Sequence, residues 1–167
     1  MMIKGRVRKF GADIDTDAII PARYANLSDA VELGKHCMEN IDPDFAGRVQ
    51  PGDIIVAETN FGCGSSREIA PMAIMGVGIS CVIAKSFARI FFRNALNIGL
   101  PLVDCREMID LTKEGDYLEI DLSSGLIKNV TADLIFKPVP YPPFISELIN
   151  AGGLVKYTRE KIGEEQA

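Results

Sequence analysis

Residues 79–104, ISCVIAKSFARIFFRNALNIGLPLVD, hold the pattern that decides the fold. ISCVIAK (79–85) is a near-continuous apolar run, which suits a strand buried on both faces. FARIFFRNALNIG (87–99) spaces its apolar side chains at helical intervals and closes on Gly99, a common helix stop. LPLVD (100–104) reads as a second short strand, and 106–112 as a short helix.

The same alternation extends upstream. GDIIVAE (52–58) predicts a strand, residues 60–66 a Gly-rich loop, and 67–77 a helix that tolerates Pro71 in its first turn. MIKGRVRKF (2–10) predicts a strand and 11–28 an ordered loop. Residues 29–39 predict a helix capped by Ser28 or Asp29, with Val31, Cys37 and Met38 facing inward. Downstream, DYLEIDL (116–122), GLIKNVT (125–131) and ADLIFKP (132–138) alternate polar and apolar positions, as in an antiparallel meander with one wet face. FISELINAGG (144–153) predicts a helix with a Gly stop. The expected class is α/β, one domain over 1–157, with 158–167 as a frayed C-terminal tail.

Bulk properties exclude several functions. The 167 residues carry a net charge of −5, which argues against a nucleic-acid binder. No apolar run reaches the ~18 residues of a membrane span. The start, MMIKGRVRKFGADIDTD, has no continuous apolar stretch of the secretory kind. The four cysteines, Cys37, Cys63, Cys81 and Cys105, match no zinc or C-x-x-C spacing. The expectation is a cytoplasmic protein with reduced thiols.

Three stretches carry candidate chemistry. In NFGCGSSREIA (60–70), Gly62 and Gly64 allow close backbone approach, and a helix starting near Ser66 would aim free N–H groups at a ligand. Ser65 and Ser66 add hydroxyls, and Arg67 a fork suited to a carboxylate. The competing reading is an N-cap, with Ser65 or Ser66 capping. No Lys follows the glycines as a phosphate loop needs, and no G-x-S-x-G elbow is present. His36, the sole histidine, lies in a helical pattern and reads as packed or exposed. Cys63 reads as a small packed residue.

The second stretch, GADIDTDAIIPARY (11–24), alternates Asp13, Asp15 and Asp17 like a calcium loop. Ala18 and Tyr24 then stand where that loop needs Gly and Glu. Either these aspartates bind turn N–H groups, or at least one serves a site. The third, AKSFARIFFRNALNIGLP (84–101), reads as a core helix with Ser86 as a cap and Arg89 and Arg93, four residues apart, pairing with acids.

DIDTDAIIPARY, NFGCGSSREIAP and AKSFARIFFRNALNIGLP, in this order, resemble the small-subunit family of 3-isopropylmalate dehydratase in the aconitase superfamily. The short length resembles the archaeal- and clostridial-type branch. The resemblance runs over about residues 2–157. It implies a swivelling β/β/α three-layer domain, like the aconitase C-terminal domain. It implies a hydro-lyase subunit acting in leucine biosynthesis, with Ser65 as general base, Asp17 as an acidic residue entering the site, and Ser66 and Arg67 holding substrate carboxylates. Tyr24, Ala25 and Asn26 would lie near the variable substrate group. No metal would be bound by this chain. A [4Fe–4S] cluster would sit on a separate large subunit, the expected partner, and the substrate would be a small hydroxy-dicarboxylate. Related dehydratases acting on homoaconitate-type, 2,3-dimethylmalate or citraconate/citramalate substrates remain alternatives, as does a non-catalytic anion-binding module. Asn26 in place of an arginine leans toward isopropylmalate; Ala25 in place of the family's usual Leu widens the space.

Overall fold

The computed structural model describes residues 1–166. Among them run seven strands: β1 (Met2–Lys9), β2 (Ile54–Ala57), β3 (Cys81–Ala84), β4 (Leu102–Asp104), β5 (Tyr117–Asp121), β6 (Leu126–Asn129) and β7 (Leu134–Phe136). They form one sheet of order β4-β3-β2-β1-β5-β6-β7. The β1–β4 half is parallel, with Val7 opposite Ile54, Ile54 opposite Cys81 and Val82 opposite Leu102. The β5–β7 half is antiparallel and joins the far edge of β1, where Gly5 faces Leu118. The α/β class with an antiparallel end is therefore present.

The parallel strands are covered on both faces. Ile55, Ala57, Val82 and Ala84 join Ile19, Leu33, Phe45, Ile74 and Phe91 in one core. Their neighbours Ile54, Val56, Cys81 and Ile83 turn to a second core with Val7, Leu118, Ile127 and Leu148. Successive residues of a strand point to opposite faces. Two cores thus explain why these strands lack polar alternation. β5 keeps one wetter face, and its sequence alternates accordingly.

The helices are α1 (Thr16–Ile19), α2 (Ala30–Gly34), α3 (Phe45–Arg48), α4 (Ile69–Gly76), α5 (Arg89–Asn97), α6 (Arg106–Ile109), α7 (Pro143–Ala151) and α8 (Leu154–Gln166), with a 3₁₀ turn at Ala22–Tyr24. No described helix is long and apolar enough to cross a membrane.

The helix expected over 29–39 is cut to α2. Met38 takes a left-handed backbone, φ 61°, and its N–H donates to the Ile19 carbonyl at 2.8 Å, which turns the chain out of helix. Cys37 and Met38 are buried as expected, but Val31 is 63% exposed. α2 instead presents Gly34 to α4: a Cβ there would meet the Gly76 carbonyl carbon at 2.3 Å, and one on Gly76 would meet the Ala30 oxygen at 1.7 Å. The two helices cross where neither has a side chain.

Two expected caps are absent. α4 starts at Ile69, not beside Ser66, and has no side-chain cap. α5 starts after Ala88 without one; the Ser86 hydroxyl accepts instead from the Asn60 N–H at 2.9 Å. The end expected to fray, 158–167, continues α8 to Gln166. Residues 158–163 are exposed, so local helix bonds sustain this stretch rather than core packing. Ala167 lies outside the described residues.

Candidate active site

The C-terminal ends of β1, β2 and β3 release three loops along one sheet edge, the side where ligands gather in open α/β sheets. Backbone bonds lace them together. The Gly62 N–H donates to the Ile14 carbonyl at 2.7 Å, the Thr16 N–H to Cys63 at 2.9 Å, and the Asp13 N–H to Thr59 at 2.9 Å. On the other side, the Phe61 N–H donates to Ser86 at 3.1 Å and the Ala88 N–H to Phe61 at 2.9 Å. The Gly-rich loop is thus a short ribbon between the other two motifs.

Gly62 is required where it stands. Its φ is +80°, and a Cβ would fall 2.1 Å from Cγ of Phe91 on α5. Asn60 also adopts a left-handed backbone, φ 61°, and its amide nitrogen donates to Asp13 at 2.8 Å. These constraints hold the ribbon flat against α5 and aim residues 64–67 outward.

Asp17 and Arg67 meet: Nη1 of Arg67 lies 2.6 Å from the Asp17 carboxylate and 3.3 Å from the Ile20 carbonyl oxygen. The hydrogen bond from Arg67 holds the Asp17 carboxyl below its ordinary value, with lesser help from the guanidinium charge and the Ala22 N–H. Only Nη1 is engaged in these bonds, so the remaining nitrogens of the fork are available to a ligand. Ser65 and Ser66 are exposed beside this pair. Among the described residues their hydroxyls have no hydrogen-bond partner.

Thr16 stands out among residues that sequence reasoning passed over. It is buried, and its hydroxyl donates to the Ser65 carbonyl at 3.0 Å. Its position between two aspartates was the available signal. Asp15 follows the turn reading, accepting from the Ala18 N–H at 2.7 Å as the cap of α1.

Tyr24 stacks on His36 with ring centroids 3.8 Å apart, and Arg23 lies over its other face. His36 Nδ1 is 2.8 Å from Glu39, which also pairs with Arg23. Burial opposes the charged form of Glu39, but hydrogen bonds from His36 and Tyr24 outweigh it and lower its pKa. The sole histidine thus braces the 3₁₀ turn from behind. Ala25 and Asn26, next along, are exposed, so the turn presents them to solvent from a fixed base.

The described residues do not suit an iron–sulfur cluster. No three His, Cys, Asp or Glu side chains converge as metal ligands among them. Cys37 is buried in one core and Cys81 and Cys105 in the other, so they do not gather with Cys63 at the ribbon. The Cys63 thiol pKa is pushed up, first by burial and then by Asp15 and Asp13.

Residues 43–105 match the family model for the aconitase C-terminal domain. Over 165 residues the chain is 60% identical to a 3-isopropylmalate dehydratase small subunit from Thermodesulfovibrio yellowstonii, covering 99% of this chain and 98% of that protein. It is 54% identical to one from Caldicellulosiruptor bescii, covering 99% of both. The fold superposes on the crystal structure of a 3-isopropylmalate dehydratase from Methanocaldococcus jannaschii with TM-score 0.92, 48% identity and 100% coverage of both chains. The chain belongs to the family of 3-isopropylmalate dehydratase small subunits, built on the aconitase C-terminal domain.

Proposed function

We propose that this chain is the small subunit of a 3-isopropylmalate dehydratase, a hydro-lyase that interconverts 2- and 3-isopropylmalate by removing and returning water. The observation that carries the reading is the convergence of two distant motifs. Asp17 and Arg67 are ion-paired on either side of a loop that exposes two unpartnered serines. The relatives named above support the same activity.

In this reading Ser65 takes the proton from the carbon next to a substrate carboxylate. A serine hydroxyl is a poor base unless positive potential stabilises its alkoxide. Arg67, two residues on, provides that potential. Ser66 and the free side of Arg67 grip the carboxylate, because a guanidinium can donate two parallel bonds to it. Asp17 fixes the guanidinium. Tyr24, Ala25 and Asn26 border the variable substituent; the absence of charge at Ala25 and Asn26 suits an isopropyl group better than a third carboxylate.

We assign the [4Fe–4S] cluster to a large partner subunit, since the described residues of this chain do not suit it, and place the pair in the cytoplasm. The test is reconstitution of the chain with its large subunit under anaerobic conditions. Turnover should be greatest on isopropylmalate in a panel that includes homocitrate, citramalate and dimethylmalate. A preference for another member would reassign the substrate, and a pair inactive on all four would overturn the reading.

A further inference from the structure

Residues 13–16 and 59–65 run side by side as a short ladder. Asp15 and Cys63 form a parallel bridge within it, and its backbone bonds join Asp13 to Thr59, Ile14 to Gly62 and Thr16 to Cys63. The hydroxyl of Thr16 on the Ser65 carbonyl is the far rung. The near rung is made by side chains alone: the Asn60 amide nitrogen donates to the Asp13 carboxylate at 2.8 Å.

That near rung joins two residues in a disfavoured backbone state. Asp13, φ 53°, and Asn60, φ 61°, are two of the four non-glycine residues with positive φ among those described. Such a conformation persists where its surroundings over-determine it, and it concentrates at functional sites. Asn60 is held from both sides. Its side chain reaches Asp13, and its N–H donates to the Ser86 hydroxyl at 2.9 Å. One residue of the serine motif thus touches both of the other motifs. Asn60 and Asp13 are exposed, so no core packing depends on their bond.

Backbone N–H and C=O groups repeat at every residue, so backbone bonds alone do not distinguish one register from its neighbour. A side-chain pair between one donor and one acceptor does. We infer that Asn60 is a positioning residue for the proton-transfer step: its bond to Asp13 sets the register of the ladder, and the register sets where Ser65 stands. The inference rests on the reading of Ser65 as the base.

The experiment is a polarity reversal with two readouts. Asn60→Asp has no amide to donate and sets a second carboxylate against Asp13. In the reconstituted pair it should lower kcat about ten- to a hundredfold, the scale of a misplaced reacting group, with KM within about twofold of wild type. Adding Asp13→Asn restores one donor and one acceptor in the opposite sense and should recover most of kcat. Asn60→Gly keeps the left-handed backbone, loses the rung and should lower kcat as well. The second readout needs neither partner nor turnover. In the isolated chain, hydrogen exchange at the Phe61 and Gly62 amides should quicken at least about tenfold in Asn60→Asp. It should slow again in the double variant, while Val82 in β3 keeps its wild-type rate. Wild-type kcat in Asn60→Gly, or no recovery in the double variant, overturns the positioning role. So does exchange that quickens equally at Val82, which would make Asn60 a matter of global stability. Exchange that follows the rung in a chain whose wild-type pair is inactive on isopropylmalate upholds the register and refutes the activity.

Discussion

The hydroxyl of Thr16 donates to the carbonyl oxygen of Ser65 at 3.0 Å, tying the aspartate-rich turn to the serine loop. Thr16→Val keeps the shape and loses the bond. It should cost about 1 kcal/mol of stability and lower kcat by loosening Ser65. Thr16→Ser should restore most of both. Chemical denaturation and steady-state kinetics on the reconstituted pair test this; an undiminished kcat in the Val variant would mean Ser65 is held by other bonds.

Ser65→Ala should reduce kcat by at least the ~10²–10⁴-fold typical of a lost general base. The fold should be unaffected, because the side chain is exposed and makes no internal bond. Retention of more than about a tenth of wild-type kcat would contradict a proton-transfer role.

Arg67→Lys should be damaging although charge is kept, because an ammonium cannot grip a carboxylate through two parallel bonds. Near wild-type kcat/KM would limit Arg67 to general positive potential.

Asp17 offers a pH signature. Its pKa is lowered by the hydrogen bond from Arg67, so any stability from the pair is present above the unfolded value, ~3.9, and is lost as pH falls through the lower folded value. The Asp17 carboxyl signal in NMR should titrate below ~3.9, and return toward it in Arg67→Ala. Identical titration in the two proteins would mean the pair does not persist in solution.

Asn26→Arg should raise kcat/KM for a homocitrate-like substrate by about ten- to a hundredfold, the worth of a gained charge-assisted bond. Ala25→Leu should instead narrow the space near an apolar group and change discrimination by at most ~1–3 kcal/mol. A substrate panel on each variant decides; unaltered relative specificity would show that this turn does not read the substrate.

Gly62→Ala should destabilise the protein by roughly 1–3 kcal/mol, since the new methyl overlaps the Phe91 ring. The Tm should fall by several degrees. An unshifted Tm would require Phe91 to move aside freely.

Elements whose pattern is local were legible in the sequence. β3 and α5 lie where an apolar run and a helical spacing put them. The truncation of α2 was not, because the bond from Met38 to Ile19 is a tertiary contact between segments that reveal nothing of it separately. The same holds for the site. Arg67 and Asp17 could be nominated from residue type, but their pairing depends on a ribbon held by Gly62, Asn60 and Thr16. The bracing of Tyr24 by His36 was hidden for a related reason: stacking between aromatic side chains on different turns leaves no periodic trace.

The place of β1 at the seam of the sheet has a consequence during synthesis. Its two neighbours are β2 and β5, and Met2 pairs with Asp121. At ribosomal speeds, β5 emerges on the order of several seconds after β2. Through that interval β1 has one edge satisfied and the other open, the condition in which a nascent strand can recruit a foreign one. The open edge of β1 therefore belongs to the elongating chain and not to the finished sheet, where β5 covers it.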